Sequence, residues 1–169
     1  MAGLEAEIAR LIREYQAKTG KSLTIGTVES ATGGRIADRI TNVPGSSDYF
    51  KASVVAYSNK IKIALLGVKK ATIENYGAVS EQTAREMAQG GKKLLDVDIC
   101  VSDTGIAGPS GDTPGKPVGL FYLGLAAEGE SLSQKHTFPG NREENKRDAA
   151  EAALDMLKQY LLRCIKSRG

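Results

Sequence analysis

Residues Leu23 to Gly34, reading L-T-I-G-T-V-E-S-A-T-G-G, constrain the fold more than any other stretch. The first half sets Leu23, Ile25 and Thr27 against Thr24, Gly26 and Val28, an alternation that suits a mostly buried strand. The second half supplies a carboxylate, two hydroxyls and two glycines, then runs into R-I-A-D-R-I, a helical pattern. A strand that turns tightly into a helix aims backbone N–H groups and a hydroxyl at one point, a ready anion or oxyanion site. Ser30 stands at that elbow, where a nucleophile would be exposed. The same residues also support a purely structural role, with Ser30 or Thr32 capping the helix and the glycines making the turn.

The rest of the chain reads as strands alternating with helices. Leu4, Ile8, Leu11, Ile12 and Tyr15 share one helical face over residues 3–18, and Thr19-Gly20 ends that helix. A helix over about 35–42 follows the elbow, Pro44-Gly45-Ser46-Ser47 breaks the chain, and Ala52 to Tyr57 forms a second strand. Asn59 is placed to cap a short helix carrying Lys60 and Lys62. Ser80 starts a longer helix to about Leu95, with Ala84, Met87, Ala88 and Gly91 facing inward. Asp98 to Asp103 is a third strand that delivers Thr104-Gly105-Ile106-Ala107-Gly108-Pro109 at its end. After a glycine- and proline-rich loop from Ser110 to Pro117, residues 118–127 and 132–138 pair as strands, and a helix over about 142–165 closes the chain. This order argues an α/β fold, a sandwich with a mixed, largely parallel sheet, in one domain over residues 1–169. If the first three strands run parallel, their C-terminal ends bring Ser30, Tyr57 and Thr104-Gly105 to one edge, where such sheets bind ligands.

Composition narrows the function classes. A net charge of +3 gives no footprint for nucleic acid, and no apolar run approaches a membrane span. The N-terminus lacks a signal-peptide core, and the two cysteines, Cys100 and Cys164, have neither metal-ligand nor disulfide-framework spacing, so a reducing, cytoplasmic setting is expected. The single histidine, His136, lies in a strand pattern far from the elbow, which disfavours a Ser-His-Asp triad. A serine without histidine needs another base, and Y-S-N-K-I-K at Tyr57 to Lys62 offers tyrosine and lysine. A lysine in the first turn of a helix faces the positive end of the dipole, which favours its neutral form. On charge alone Lys60 and Lys62 are equal candidates. Asn141 and Glu144 have capping-box spacing around Arg142, which either holds an anion or is simply solvated. G-D-T-P-G-K at Gly111 to Lys116 lacks the spacing of a phosphate loop and has Pro117 where the magnesium hydroxyl belongs. Asp96, Asp98 and Asp103 are too scattered for a metal site, and neither metal nor cofactor is called for.

With these residues in hand, the sequence resembles the CinA C-terminal domain family, whose stand-alone members are nicotinamide-nucleotide amidohydrolases. The resemblance rests on E-S-A-T-G-G (Glu29–Gly34), P-G-S-S (Pro44–Ser47), Y-S-N-K-I-K (Tyr57–Lys62), G-A-V-S (Gly77–Ser80), T-G-I-A-G-P (Thr104–Pro109), K-P-V-G (Lys116–Gly119) and P-G-N-R (Pro139–Arg142). It implies a three-layer α/β/α fold, a homo-oligomer, and hydrolysis of the carboxamide of nicotinamide mononucleotide to nicotinic acid mononucleotide and ammonia. It carries over Ser30 as nucleophile with Tyr57 and Lys62 assisting, and so selects Lys62 over Lys60. Glu29, Thr32, Gly33, Gly34, Ser46, Thr104, Gly105 and Arg142 are the expected substrate-binding residues, with N–H groups around Thr32 to Gly34 stabilising the oxyanion and Ser46, Thr104, Gly105 and Arg142 on the ribose phosphate. Ala31 stands where many relatives carry a cysteine. Larger relatives place another domain ahead of this one, whereas this chain begins with a short helix. The competing readings are a catalytically silent nucleotide-binding paralogue and a structural interaction domain; retention of Ser30, Tyr57 and Lys62 together favours the enzyme.

Overall fold

The computed structural model describes residues 3–167. The chain runs α1 (Leu4–Thr19), β1 (Ile25–Glu29), α2 (Arg35–Thr41), a short 3-10 turn (Ser46–Asp48), β2 (Phe50–Val55), α3 (Asn59–Leu66), α4 (Lys70–Tyr76), α5 (Glu81–Leu95), β3 (Ile99–Gly105), β4 (Leu120–Ala127), β5 (Glu130–Thr137) and α6 (Arg142–Lys166). The strands form one sheet in the order β2-β1-β3-β4-β5. β1 pairs parallel with both β2 and β3, whereas β3–β4 and β4–β5 are antiparallel. The expected mixed, largely parallel sheet is therefore the one observed.

Two apolar layers explain why the sheet is covered on both faces. On one side α1 and α6 bury Ile8, Leu11, Ile12, Leu154, Leu157 and Leu161 against Ile25, Ile99 and Leu123. On the other, α5 sets Met87 against Val28, Cys100 and Leu66. β1 is an interior strand buried at every position, so its polar Thr27 and Glu29 are as far from water as Ile25 and Val28.

Local signals fix most element ends. Gly20, at φ 72°, closes α1 and returns its N–H to the Gln16 carbonyl. Asn141 and Glu144 make the anticipated reciprocal capping box at the start of α6. The cap of α3 is Ser58 rather than Asn59: the Ser58 side chain accepts from the Ile61 N–H, and Asn59 is already helical. α4 had no counterpart in the sequence reading; it is two turns long and buries only Thr72, too little apolar face to announce itself.

The parallel pairing decides where chemistry can occur. Glu29 lies opposite Val55, and Val28 opposite Ser102, so β1 and β2 end together while β3 runs on to Gly105. Ser30 and Tyr57, just past their strands, and Thr104, near the end of β3, therefore stand at the same edge of the sheet.

Close packing of α5 sets the position of α3. A methyl on Gly90 would lie 1.6 Å from the Leu66 carbonyl oxygen, which is backbone and has no rotamer to yield. Gly90→Ala is expected to destabilise the protein by about 1–3 kcal/mol, as overpacking does. A lowered midpoint in thermal or urea unfolding is the check.

Candidate active site

Ser30 follows β1 directly and Lys62 projects from α3 toward it. Lys62 Nζ lies 2.9 Å from Ser30 Oγ and also donates to the Tyr57 backbone carbonyl at 2.9 Å. Lys62 is 2% exposed, whereas Lys60 is exposed on the same helix. Burial pushes the Lys62 amine below its usual value, while the nearby Asp103 carboxyl pulls the other way. Desolvation, rather than the helix dipole anticipated from the sequence, is thus the main cause. In the neutral state the amine can keep its N–H on the Tyr57 carbonyl and offer its lone pair to the Ser30 hydroxyl.

The elbow that presents Ser30 is held by two buried carboxyl groups. Asp103 on β3 accepts the Ser30 N–H at 2.9 Å and the Thr32 N–H at 3.1 Å. Glu29 accepts the Gly34 N–H at 3.1 Å and the Ile36 and Ala37 N–H groups at 3.0 Å each, which are otherwise orphaned at the start of α2. The hydroxyls of Thr27 and Ser53 complete its surroundings. Both carboxyls are fully buried, and burial pushes the Asp103 carboxyl up to about 6. Gly33 and Gly34, at φ 63° and 100°, supply backbone conformations that a side chain would strain.

These contacts correct several expectations. The N–H groups of Thr32, Gly33 and Gly34 are already donated, to Asp103, to the Ser30 carbonyl and to Glu29. They cannot also receive an oxyanion. Glu29 and Thr32 face each other inside the protein and hold the turn; neither they nor Gly33 and Gly34 line the cleft beside Ser30. Ser46 stands in the turn preceding β2, next to the N-terminal ends of the parallel strands, so it lies at the opposite edge of the sheet. Register excludes it from this cleft. The Tyr57 side chain is 62% exposed, and its hydroxyl accepts from Arg142 Nη2 at 3.1 Å rather than meeting Lys62.

The cleft itself measures 280 Å³ and is lined by Ser30, Lys62, Tyr57, Thr104, Gly105 and Arg142 among others. Arg142, at the start of α6, donates to the Gly108 carbonyl at 2.7 Å, which leaves further guanidinium N–H groups for an anion. Thr104 Oγ1 donates to the Ala78 carbonyl at 2.7 Å and so steadies the wall opposite. His136 lies on β5, where Nε2 is 3.1 Å from Gln134 Oε1 and the ring stacks on Phe138, in keeping with a satisfied strand histidine.

Three functional groups were missed in the sequence. Asp103 is weighed in the sequence only as a metal ligand, and its place near the end of a strand parallel to β1 is the signal for its part in the elbow. Asn145 is buried and ties the 105–108 loop to α6, donating to the Ala107 carbonyl at 3.0 Å and accepting the Gly140 N–H at 2.9 Å. Among the described residues the N–H of Ala31, on the residue after Ser30, has no acceptor, and Ala31 lines the cleft.

Fold and site together define an α/β/α protein with a buried serine–lysine pair at the C-terminal edge of its parallel strands. The chain belongs to the CinA C-terminal domain family, whose pattern matches residues 5–161. It is 49% identical to a CinA-like protein of Kosmotoga olearia and 51% identical to one from Endomicrobium trichonymphae, over 94% and 82% of this chain. It spans only 37% and 32% of the lengths of those two relatives. Among solved structures, the competence/damage inducible protein CihA from Agrobacterium tumefaciens shares 35% identity with a TM-score of 0.83, covering 93% of this chain and 94% of that one. A CinA superfamily protein from Klebsiella pneumoniae superimposes with a TM-score of 0.86 at 27% identity, covering 96% and 99%.

Glu29→Gln would preserve volume but replace one acceptor oxygen by an NH2 donor facing other donors. The expected loss is about 1–3 kcal/mol of stability, the cost of leaving buried donors unpaired. Urea unfolding of the variant at unchanged pH measures it.

Proposed function

We propose that this chain hydrolyses the carboxamide of nicotinamide mononucleotide, releasing ammonia and nicotinic acid mononucleotide, in the recycling of pyridine nucleotides. The observation that carries this reading is the 2.9 Å contact between Ser30 Oγ and a buried Lys62 amine at the floor of the cleft. Ser30 Oγ attacks the amide carbon and Lys62 Nζ takes the hydroxyl proton. The tetrahedral oxyanion meets the Ala31 N–H; a donor of this kind is typically worth about 100- to 1000-fold in rate. Lys62, now ammonium, protonates the amide nitrogen, which leaves as ammonia; neutral again, Lys62 deprotonates the water that attacks the acyl-serine and returns that proton to Ser30 Oγ as the ester breaks. Tyr57 contributes its carbonyl to the orientation of Lys62 and its hydroxyl to Arg142. Arg142 binds the ribose phosphate at the rim, with Thr104 and Gly105 forming the wall.

Ammonia release from nicotinamide mononucleotide, without added metal, tests the reading. Wild-type turnover abolished in a folded Ser30→Ala variant that still binds the nucleotide supports it; activity surviving in that variant discards the serine mechanism. No turnover by a folded wild type that binds the nucleotide would leave a silent nucleotide-binding paralogue.

Two further outcomes are expected. Because the neutral amine is the base and its pKa lies below the usual lysine value, kcat/KM should rise with pH and level off once Lys62 has lost its proton. Lys62→Ala should remove that limb and lower kcat by about 100- to 10000-fold. Arg142→Ala should raise KM about 10- to 100-fold with a smaller change in kcat, as removal of a charged ground-state contact does.

A further inference from the structure

Thr32 Oγ1 lies 2.6 Å from Glu29 Oε1 and 2.5 Å from Asp103 Oδ1. A threonine hydroxyl has one proton to donate, yet here it stands at short hydrogen-bond distance from two carboxyl oxygens at once. Two ionised carboxylates around one O–H would leave one of these contacts as lone pair against lone pair in a fully buried site. A second proton resolves it. We propose that Asp103 is a positioning residue that works as the neutral acid: its Oδ1–H donates to Thr32 Oγ1, whose own O–H donates to the Glu29 carboxylate.

The surroundings of the two acids decide where the extra proton sits. Glu29 receives three backbone N–H groups in addition to hydroxyls, a setting that favours the anion. Asp103 receives two, and a protonated carboxyl still accepts both through its remaining lone pairs. The charged groups that act on Asp103 are Glu29 from β1 and Lys62 from α3; its register partner on β4 is Leu123. Burial and the Glu29 charge push the Asp103 carboxyl up, to about 6, against the lowering by the Thr32 and Ser30 hydrogen bonds, so the proton is held below that pH.

The consequence concerns the serine–lysine pair. Below about pH 6 Asp103 pins the backbone of Ser30 and Thr32 as the acid; once ionised it still accepts both N–H groups, but its charge then favours the ammonium form of Lys62. This consequence rests on the mechanism proposed above, whereas the proton itself rests only on the geometry of the elbow.

The test therefore reads the proton directly. Carbon NMR of side-chain carboxyls in wild-type protein labelled at aspartate and glutamate, with the Asp103 signal identified by its loss in Asp103→Asn, is followed with pH. Asp103 should remain the acid at pH about 5, above the ordinary aspartate value near 3.9. Titration of Asp103 in the ordinary range, or retention of the proton by Glu29, overturns the proposal. If the Asp103→Asn variant fails to fold, selective relaxation of the carboxyl signal coupled to the Ser30 and Thr32 amides in wild type identifies it.

Thr32→Val supplies a second readout. Losing the bridging hydroxyl should lower the rate of Ser30 labelling by a serine-directed fluorophosphonate about tenfold or more, and Thr32→Ser should restore it. It should also shift the Asp103 titration. An unchanged titration in folded Thr32→Val would overturn the proposal whether or not any amide is cleaved.

Discussion

The pairing of two buried carboxyl groups with the backbone of the elbow is the constraint on which the rest of this protein depends. Glu29 satisfies the first N–H groups of α2, and Asp103 holds the backbone of Ser30 and Thr32. Carboxyl groups this deep are costly unless every oxygen is used, because an unpaired buried charge loses its hydration and regains nothing. Here the oxygens are used by the chain itself, and the result is a turn that cannot relax without exposing several polar groups together. A serine on such a turn has a fixed direction.

Lysine burial follows from the same architecture. α3 lies close to α5 because glycine at position 90 admits the Leu66 carbonyl, and the sheet edge supplies the Tyr57 carbonyl as a partner for the amine. Packing of apolar residues thus determines how far Lys62 is removed from water, and removal from water sets its protonation. The proposed base arises from helix packing as much as from its own chemistry. Arg142 enters from a different element, the capped start of α6, so the cleft is assembled from β1, α3, β3 and α6. Few of these segments are near each other in sequence.

The candidate site also separates presentation from contact. Glu29, Thr32, Gly33 and Gly34 belong to the same short motif as Ser30, yet they face the interior and act through the backbone. A motif read as a row of ligand-binding residues is, in three dimensions, one hydroxyl facing the cleft and its support. Ser46 illustrates the opposite failing: a hydroxyl in a glycine-bearing turn looks like an anion ligand until strand direction puts it at the far edge.

The sequence by itself determined the order and type of nearly every long element, because apolar residues recur at helical or strand spacing wherever one face is buried. It also determined the elbow, the capping box at Asn141 and Glu144, and the neighbourhood of Ser30 with Lys62, the last through resemblance to a family. The short α4 escaped because it buries almost nothing. Tertiary structure alone decided that the Thr32 N–H is donated to Asp103 rather than free for an oxyanion, that Tyr57 offers Lys62 its carbonyl and Arg142 its hydroxyl, and that Ser46 lies elsewhere. The physical reason is common to all three. Local pattern records which groups a residue carries and which face it buries, but hydrogen bonds across a sheet are fixed by register and strand direction, which no short stretch contains.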